Sequence, residues 1–164
     1  MLSKSLGCSY LEADDFHSQA NKEKMSKGIP LTDEDRIPWL ETLRDAIRKK
    51  LESCETVIVT CSALQKKYRE ILRCADPEYK CGDYRNCKLK FVCLDAPMEV
   101  LASRIIVRSK NGKHFMPVSL LQSQLELLQI DKAEGIHMVD ATVSLQYILD
   151  SIVALLSNNK LNSM

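Results

Sequence analysis

TVIVTCSALQKKYREILRC, residues 56–74, sets the pattern on which the chain is built. Its β-branched opening predicts a buried strand over Thr56 to Ser62, and the following apolar spacing predicts a helix over Leu64 to Cys74. Segments of the same strand type recur at Ser9 to Ala13, Leu89 to Asp95 and Ile136 to Ala141. Each is followed by helical sequence, and strands that alternate with helices need crossover connections. The sequence therefore predicts an α/β fold, a three-layer α/β/α arrangement with a mainly parallel sheet.

The longest predicted helix runs from Asp33 to Leu51, because apolar residues recur at helical spacing and Thr32 offers an N-cap ahead of three carboxylates. Trp39, one turn into it, is expected to be a core or groove-wall residue. Further helices are predicted at His17 to Lys27, Pro97 to Arg108, Pro117 to Leu128 and Val143 to Leu156. Two segments interrupt the pattern, a polar, cysteine-bearing surface insertion at Asp76 to Lys88 and a basic flap at Ser109 to His114. No linker divides the chain, so residues 1–164 are expected to form a single domain.

Composition excludes several classes of function. The 164 residues are 45% apolar and 27% charged with a net charge of +1, which gives no footprint for sequence-independent binding to nucleic acid or to a membrane. No apolar run approaches the roughly 20 residues that span a bilayer, and the N-terminus lacks the apolar core of a secretory signal. We therefore expect a cytoplasmic protein.

The seven cysteines are expected to be mostly reduced thiols in and beside strands. Four of them, Cys74, Cys81, Cys87 and Cys93, could close a zinc site if the intervening loop folded back. Because zinc sites usually contain close pairs such as C-x-x-C and none occurs here, free thiols are the favoured interpretation.

The densest polar cluster follows the first predicted strand, where parallel sheets place their ligands. Glu12 and Asp14 are two residues apart and so point to the same side of an extended chain. Such a pair suits a kinase, in which one carboxylate contacts magnesium through water and the other accepts the proton of the attacking hydroxyl. Alternatively, Asp14 and Asp15 simply begin the next helix. For His17 the spacing leaves substrate binding, helix capping and plain exposure open.

Two basic clusters could bind anions. Lys66 and Arg69 lie in the first turns of a predicted helix, where an anionic ligand would relieve their repulsion with the helix dipole. A solvated helix face explains the same residues without a ligand. The second cluster straddles the flap and could close over a polyphosphate, although most basic loops serve only solubility. Its members are Arg104, Arg108, Lys110, Lys113 and His114.

Four blocks, jointly specific, then resemble the gluconokinase family in order along nearly the whole chain. They are ADDFH (13–17), PLTDEDRIPWL (30–40), CSALQKKYR (61–69) and HFMP (114–117) with LLQSQ (120–124). The resemblance implies a small P-loop kinase with an adenylate-kinase-like sheet. Such a kinase transfers the γ-phosphate of ATP to the 6-hydroxyl of D-gluconate with magnesium, giving 6-phosphogluconate. The implied partners are gluconate and ATP, without nucleic acid or membrane, and a homodimer is compatible with the family.

The resemblance also assigns roles to individual positions. Asp14 would be the catalytic base, and Glu12 would contact the metal through water, although relatives usually carry an aspartate there. The gluconate pocket would be lined by His17, Arg36, Lys66, Arg69 and Gln124. A lid at about 104–116 would place catalytic Arg104 and Arg108, with Lys113 and His114, over the phosphates.

One departure from the family pattern is large. The G-x-x-x-x-G-K-[ST] loop that holds phosphates is missing, since the only Gly-Lys pair, Gly112-Lys113, has Val107 where the first glycine belongs and precedes no Ser or Thr. Met1 to Gly7 resembles the end of the helix that follows that loop, as if the chain began roughly two helical turns late. The strand lost with the loop would lie between those at Thr56 to Ser62 and Leu89 to Asp95, which predicts two unpaired edges.

We therefore expect gluconate phosphorylation as the family function, with ATP binding or folding of this chain impaired. The alternatives are a non-catalytic gluconate-binding or regulatory short form, and a related small kinase that acts on another sugar acid.

Overall fold

A computed structural model describes residues 1–110 and 117–161 of the chain, with side chains as far as residue 156. The predicted alternation of strands and helices is confirmed. The helices are α1 (Leu2–Leu6), α2 (Gln19–Ser26), α3 (Asp33–Glu52), α4 (Lys66–Arg73), α5 (Met98–Lys110), α6 (Leu121–Leu127) and α7 (Leu145–Leu161). The strands are β1 (Ser9–Glu12), β2 (Val57–Thr60), β3 (Val92–Asp95) and β4 (His137–Asp140). Short 3₁₀ turns occupy Ala13–Phe16, Val118–Leu120 and Lys132–Glu134. Lys113, His114 and most of the predicted flap lie outside the described residues.

All strand pairing in the described residues is parallel, as predicted, but it forms two sheets rather than one. β1 pairs with β2 from Ser9 opposite Val57 to Glu12 opposite Thr60, and β3 pairs with β4 in the same way. β2 and β3 are not hydrogen-bonded to each other. The edges of β2 and β3 that the sequence predicts to be unpaired are therefore unpaired within the described residues.

The core is correspondingly built in two clusters, one beside each sheet. In the first, Leu40 and Leu43 of α3 are completely buried and pack with Val59 of β2. In the second, Ile148 of α7 packs against Val139 of β4. Burial of each large aliphatic side chain contributes about 1.5–3 kcal/mol. Because most of the buried apolar side chains belong to helices, the helices supply most of this stabilisation.

The strands are less buried than the sequence predicts. Val139 is the one fully buried residue among the four strands, whereas Leu94 and Met138 are 53% and 49% exposed. The prediction of buried strands took both faces of the sheet to be covered by helices, as in a complete parallel sheet. In a two-stranded sheet every strand is an edge, so part of the apolar surface stays open.

Local sequence signals explain the ends of several helices. The Asp35 carboxylate accepts a hydrogen bond from the backbone N–H of Thr32 (3.0 Å), which completes a capping box at the start of α3. Gly7 follows α1 with a φ of 60°, a left-handed conformation that suits glycine at a helix C-terminus. Leu2–Leu6 is therefore a short helix that ends at Gly7, where the sequence also predicts a helix to end.

The insertion that begins at Asp76 is attached at both ends by that residue. Asp76 is buried, and its carboxylate accepts hydrogen bonds from the backbone N–H groups of Glu78 (3.1 Å) and Lys88 (2.9 Å). All seven cysteines are free thiols. Within the described ranges, no three His, Cys, Asp or Glu side chains are grouped as metal ligands. No helix in residues 1–110 and 117–161 is both long and apolar enough to cross a membrane.

Candidate active site

A 3₁₀ turn at the end of β1 carries the candidate base. Asp14 lies in this turn, which is separate from α2, since α2 has its own N-cap at Ser18. The indole N–H of Trp39 donates to the carbonyl of Ala13 (2.7 Å), so this hydrogen bond fixes the turn to α3. Trp39 is buried, which confirms its predicted place in the core or groove wall.

His17 follows the turn and is neutral at pH 7. Its ring stacks on Trp39 with 4.0 Å between ring centroids, and only 4% of its side chain is exposed. Burial lowers its pKa to about 4, and the positive charges of Lys22 and Arg36 act in the same direction. Nε2 of His17 lies 3.9 Å from Oδ1 of Asp14. His17 is therefore a buried hydrogen-bonding group beside the candidate base and not a cation.

Arg36 presents a buried guanidinium nitrogen without a hydrogen-bond partner to the same region. It is only 6% exposed, and its Nη2 makes no hydrogen bond within the protein. Its guanidinium carbon lies 5.8 Å from the ring centroid of Tyr68. Because a buried donor without an acceptor loses the hydrogen bond that it would make in water, at a cost of about 1–3 kcal/mol, this atom is suited to an anionic ligand.

Asp33 and Tyr68, which the sequence analysis did not single out, join α3 to α4 next to Arg36. Tyr68 donates its hydroxyl to Oδ1 of Asp33 (2.5 Å), and Lys67 forms an ion pair with the same carboxylate. The hydrogen bonds from Lys67 and Tyr68 lower the pKa of Asp33. The signal was available, since Asp33 and Tyr68 lie inside the second and third blocks of the family resemblance.

Lys66 is accessible but already paired. Its ammonium group lies 2.8 Å from the Asp131 carboxylate, and the Lys66 side chain is 42% exposed. The hydrogen bond to Asp131 raises the pKa of Lys66. Lys66 is therefore positioned as a charged group at the surface of the site, held by a residue that sequence spacing did not connect to it.

Arg69 is placed differently from the predicted pocket residue. It is buried and donates to both oxygens of Glu134 (2.9 and 2.7 Å). Its remaining N–H groups reach the carbonyls of Ala63 (2.8 Å), Leu64 (3.2 Å) and Gln129 (2.6 Å). All five donors of a guanidinium group are thereby used. In this arrangement Arg69 braces the α4 end of the site and has no donor left for a substrate.

Glu134 is the centre of this bracing network. Its side chain is 0% exposed, and it also accepts from Arg73 (2.8 Å). Burial acts to raise the pKa of Glu134, but hydrogen bonds from Arg69 and Arg73 outweigh burial, and the net pKa is lowered. The carboxylate therefore stays ionised and ties α4 to the segment before β4.

Glu12 ends β1 with a half-buried carboxylate that accepts the hydroxyl hydrogen of Tyr10. Burial and the Glu12 carboxylate both raise the pKa of Tyr10, so the phenol remains a donor to Glu12. Magnesium keeps several waters and takes one or two carboxylates besides phosphate oxygens. The carboxylate of Glu12 at this strand end fits a hydrated ion of that kind, which it would contact through water.

The remaining predicted residues lie on α5 and α6. Arg104 and Arg108 are exposed on α5 and line an open groove of about 260 Å³, and Arg104 donates to the carbonyl of Ala141 (2.7 Å). Gln124 is half-buried on α6. Leu120, just before α6, packs with Met25 and Leu31, which places the start of α6 beside the connection between α2 and α3.

Comparison with known proteins finds gluconokinases and a sugar kinase similar to this chain. No family model matches the chain. It is 48% identical to a gluconokinase from Arabidopsis thaliana over 97% of this chain and 84% of that protein. The structure is similar to a gluconokinase from Sinorhizobium meliloti, with a TM-score of 0.74, 38% identity, and coverage of 99% of this chain and 87% of that one. It is also similar to a sugar kinase from Janibacter, with a TM-score of 0.81, 36% identity, and coverage of 95% and 83%.

Proposed function

The chain belongs to the gluconokinase family, and we propose that its site binds D-gluconate for transfer of the γ-phosphate of ATP to the 6-hydroxyl. The observation that carries this proposal is the unpaired, buried Nη2 of Arg36. A sugar acid supplies the carboxylate that such a donor lacks, and the charge-assisted hydrogen bond between them is of the strong kind.

The neighbouring groups suit the rest of the reaction. Asp14 would accept the proton of the 6-hydroxyl as that oxygen attacks the γ-phosphorus, while neutral His17 donates a hydrogen bond within the site. Lys66 would supply a second positive charge toward the substrate, and Gln124 an amide for its hydroxyls. Arg69 acts through α4, as a positioning residue.

The phosphate side of the reaction rests on fewer residues. Arg104 and Arg108, with Lys113 and His114, would neutralise the nucleotide phosphates from the lid at about 104–116. Magnesium, held by phosphates and through water by Glu12, would neutralise charge that develops during transfer. Because the sequence contains no G-x-x-x-x-G-K-[ST] loop, we propose that this 164-residue chain binds ATP weakly.

A cytoplasmic location fits the same picture. The seven free thiols suit a reducing compartment, in which disulfides rarely persist. ATP as a substrate points to the same compartment.

Gluconate binding tests the central contact. Arg36→Met removes the charge but keeps most of the side-chain volume, and Arg85→Met makes the same change on the exposed insertion. Isothermal titration of gluconate should show affinity reduced by roughly 10–100-fold for Arg36→Met, as for loss of a charged hydrogen bond, and unchanged for Arg85→Met. Urea unfolding should show that Arg36→Met is no less stable than the native chain, because a buried charged group with an unpartnered nitrogen is removed. Equal affinity in all three proteins would contradict the proposal.

Catalysis is tested by a coupled assay of ADP release with gluconate, magnesium and ATP. The chain is compared with a version extended at its N-terminus by a strand and a G-x-x-x-x-G-K-[ST] loop. We expect turnover in the extended protein and little in the chain alone. Turnover in neither, with gluconate binding intact, would favour the non-catalytic gluconate-binding form, whereas turnover with a different sugar acid would change the substrate.

A further inference from the structure

Asn21 is a buried amide on α2 that the proposed function leaves without a role. It is 5% exposed, and its side-chain nitrogen donates to the backbone carbonyl of Asp35 on α3 (2.9 Å). A backbone carbonyl can only accept, so this bond determines which end of the amide is nitrogen. The orientation of the Asn21 side chain follows from its partner.

The same nitrogen faces His17. Nδ2 of Asn21 lies 3.5 Å from Nδ1 of His17, and an amide nitrogen carries two hydrogens and no lone pair to accept with. Nδ1 must therefore be the unprotonated nitrogen of the ring. In a neutral imidazole the proton then sits on Nε2, which is the nitrogen that faces Oδ1 of Asp14 at 3.9 Å.

This contact also opposes protonation of the ring. A second proton on Nδ1 would set an N–H of His17 against the N–H of Asn21. The charged groups that face the ring are Asp14 from the 3₁₀ turn, Lys22 from α2 and Arg36 from α3. Two of these three are cations, and burial adds to their effect, so the geometry and the surroundings favour the same neutral form.

We propose that Asn21 is a positioning residue that holds His17 in its neutral Nε2–H tautomer, so that an N–H group and not a lone pair faces Asp14. The role of Asp14 in this statement rests on the proposed function. A ring nitrogen that is already protonated does not compete with Asp14 for the proton of the substrate hydroxyl, and its N–H presents positive charge to the carboxylate 3.9 Å away.

The native chain provides a test that does not depend on catalysis. Long-range proton–nitrogen NMR of the ¹⁵N-labelled chain distinguishes protonated from unprotonated ring nitrogens, and His17→Gln identifies the signals of His17 among the three histidines. We expect Nδ1 unprotonated, Nε2 protonated, and no titration of His17 between about pH 5.5 and pH 8. An Nδ1–H tautomer, or a mixture of the two, would overturn the proposal whether or not the protein is a kinase.

Asn21→Asp tests the cause in a side chain of nearly equal size. A carboxylate accepts where the amide donated, so Nδ1 of His17 should become protonated in the NMR spectrum. In the form that phosphorylates gluconate, kcat should fall by roughly tenfold while KM for gluconate changes less than about twofold, as when the group that orients a catalytic residue is removed. Asn86→Asp, the same change on the exposed insertion, should alter neither. An unchanged His17 tautomer in Asn21→Asp would refute the role of Asn21, whereas absent turnover in every form would refute only the proposed function.

Discussion

Replacing Glu134 by alanine is expected to lower the free energy of unfolding by about 3–5 kcal/mol, the usual cost of breaking a buried ion pair from one side. Its carboxylate is 0% exposed and lies between the guanidinium groups of Arg69 and Arg73, which are 3% and 1% exposed. Without Glu134, Arg73 keeps its ion pair with Glu70 (2.9 Å), whereas Arg69 keeps only backbone carbonyls. Most of the loss should therefore come from the uncompensated charge of Arg69.

Urea unfolding followed by circular dichroism measures this loss, with Glu126→Ala as the control. Glu126 is an exposed glutamate on α6, so the control should change stability by less than about 0.5 kcal/mol. For a domain of this size the loss in Glu134→Ala corresponds to a melting temperature lower by roughly 6–20 °C. A loss below about 1 kcal/mol would refute the reasoning, since it would mean that both arginines find water or other partners without Glu134.

Three further predictions follow from the site and from the insertion. Trp39→Phe keeps a ring against His17 but removes the donor to the Ala13 carbonyl, so stability should fall by about 1–3 kcal/mol in urea unfolding; an unchanged value would mean that water replaces the indole. As the pH falls from 7 to 5, the free energy of unfolding should fall by about 2 kcal/mol through His17, because its pKa is about 4 in the folded chain and 6.5 in the unfolded chain, so the unfolded chain takes up the proton first. The free energy of unfolding of His17→Gln should lack this pH-dependent part. If it changed with pH as steeply as that of the native chain, the assignment to His17 would be contradicted. Asp76→Asn should speed amide hydrogen exchange at Lys88, because the backbone N–H of Lys88 donates to the Asp76 carboxylate. Unchanged exchange at Lys88 would show that other contacts hold the insertion.

The alternation of elements was predictable because it depends on local periodicity. The predicted strand at Ile136 to Ala141 is observed as His137–Asp140, and the one at Leu89 to Asp95 as the shorter Val92–Asp95. The difference at Leu89 has a physical cause, since a strand extends only as far as its partner, and β4 offers four residues for pairing. The predicted burial of the strands was too high, because a pattern of apolar residues does not show which elements will cover a strand.

The site was predictable where its residues are close in sequence. Asp14 and His17 lie in one short turn, and the strand-end position alone indicated them. The partner of Arg69 could not be found in this way, since Glu134 is 65 residues away and nothing in local spacing connects the two. Asn21 was hidden for another reason: on a polar helix it resembles any solvated residue until α3 is placed beside it.

The double attachment made by Asp76 has a practical consequence for how the protein can be altered. The Asp76 carboxylate holds both ends of the segment from 77 to 87. Residues inserted in its exposed middle, near Gly82, should therefore leave the positions of α4 and β3 unchanged. Each doubling of such a loop costs only about 0.6 kcal/mol in closure entropy. The position near Gly82 is therefore suited to carry a fluorophore or an affinity tag, away from both termini and from the turn that holds Asp14.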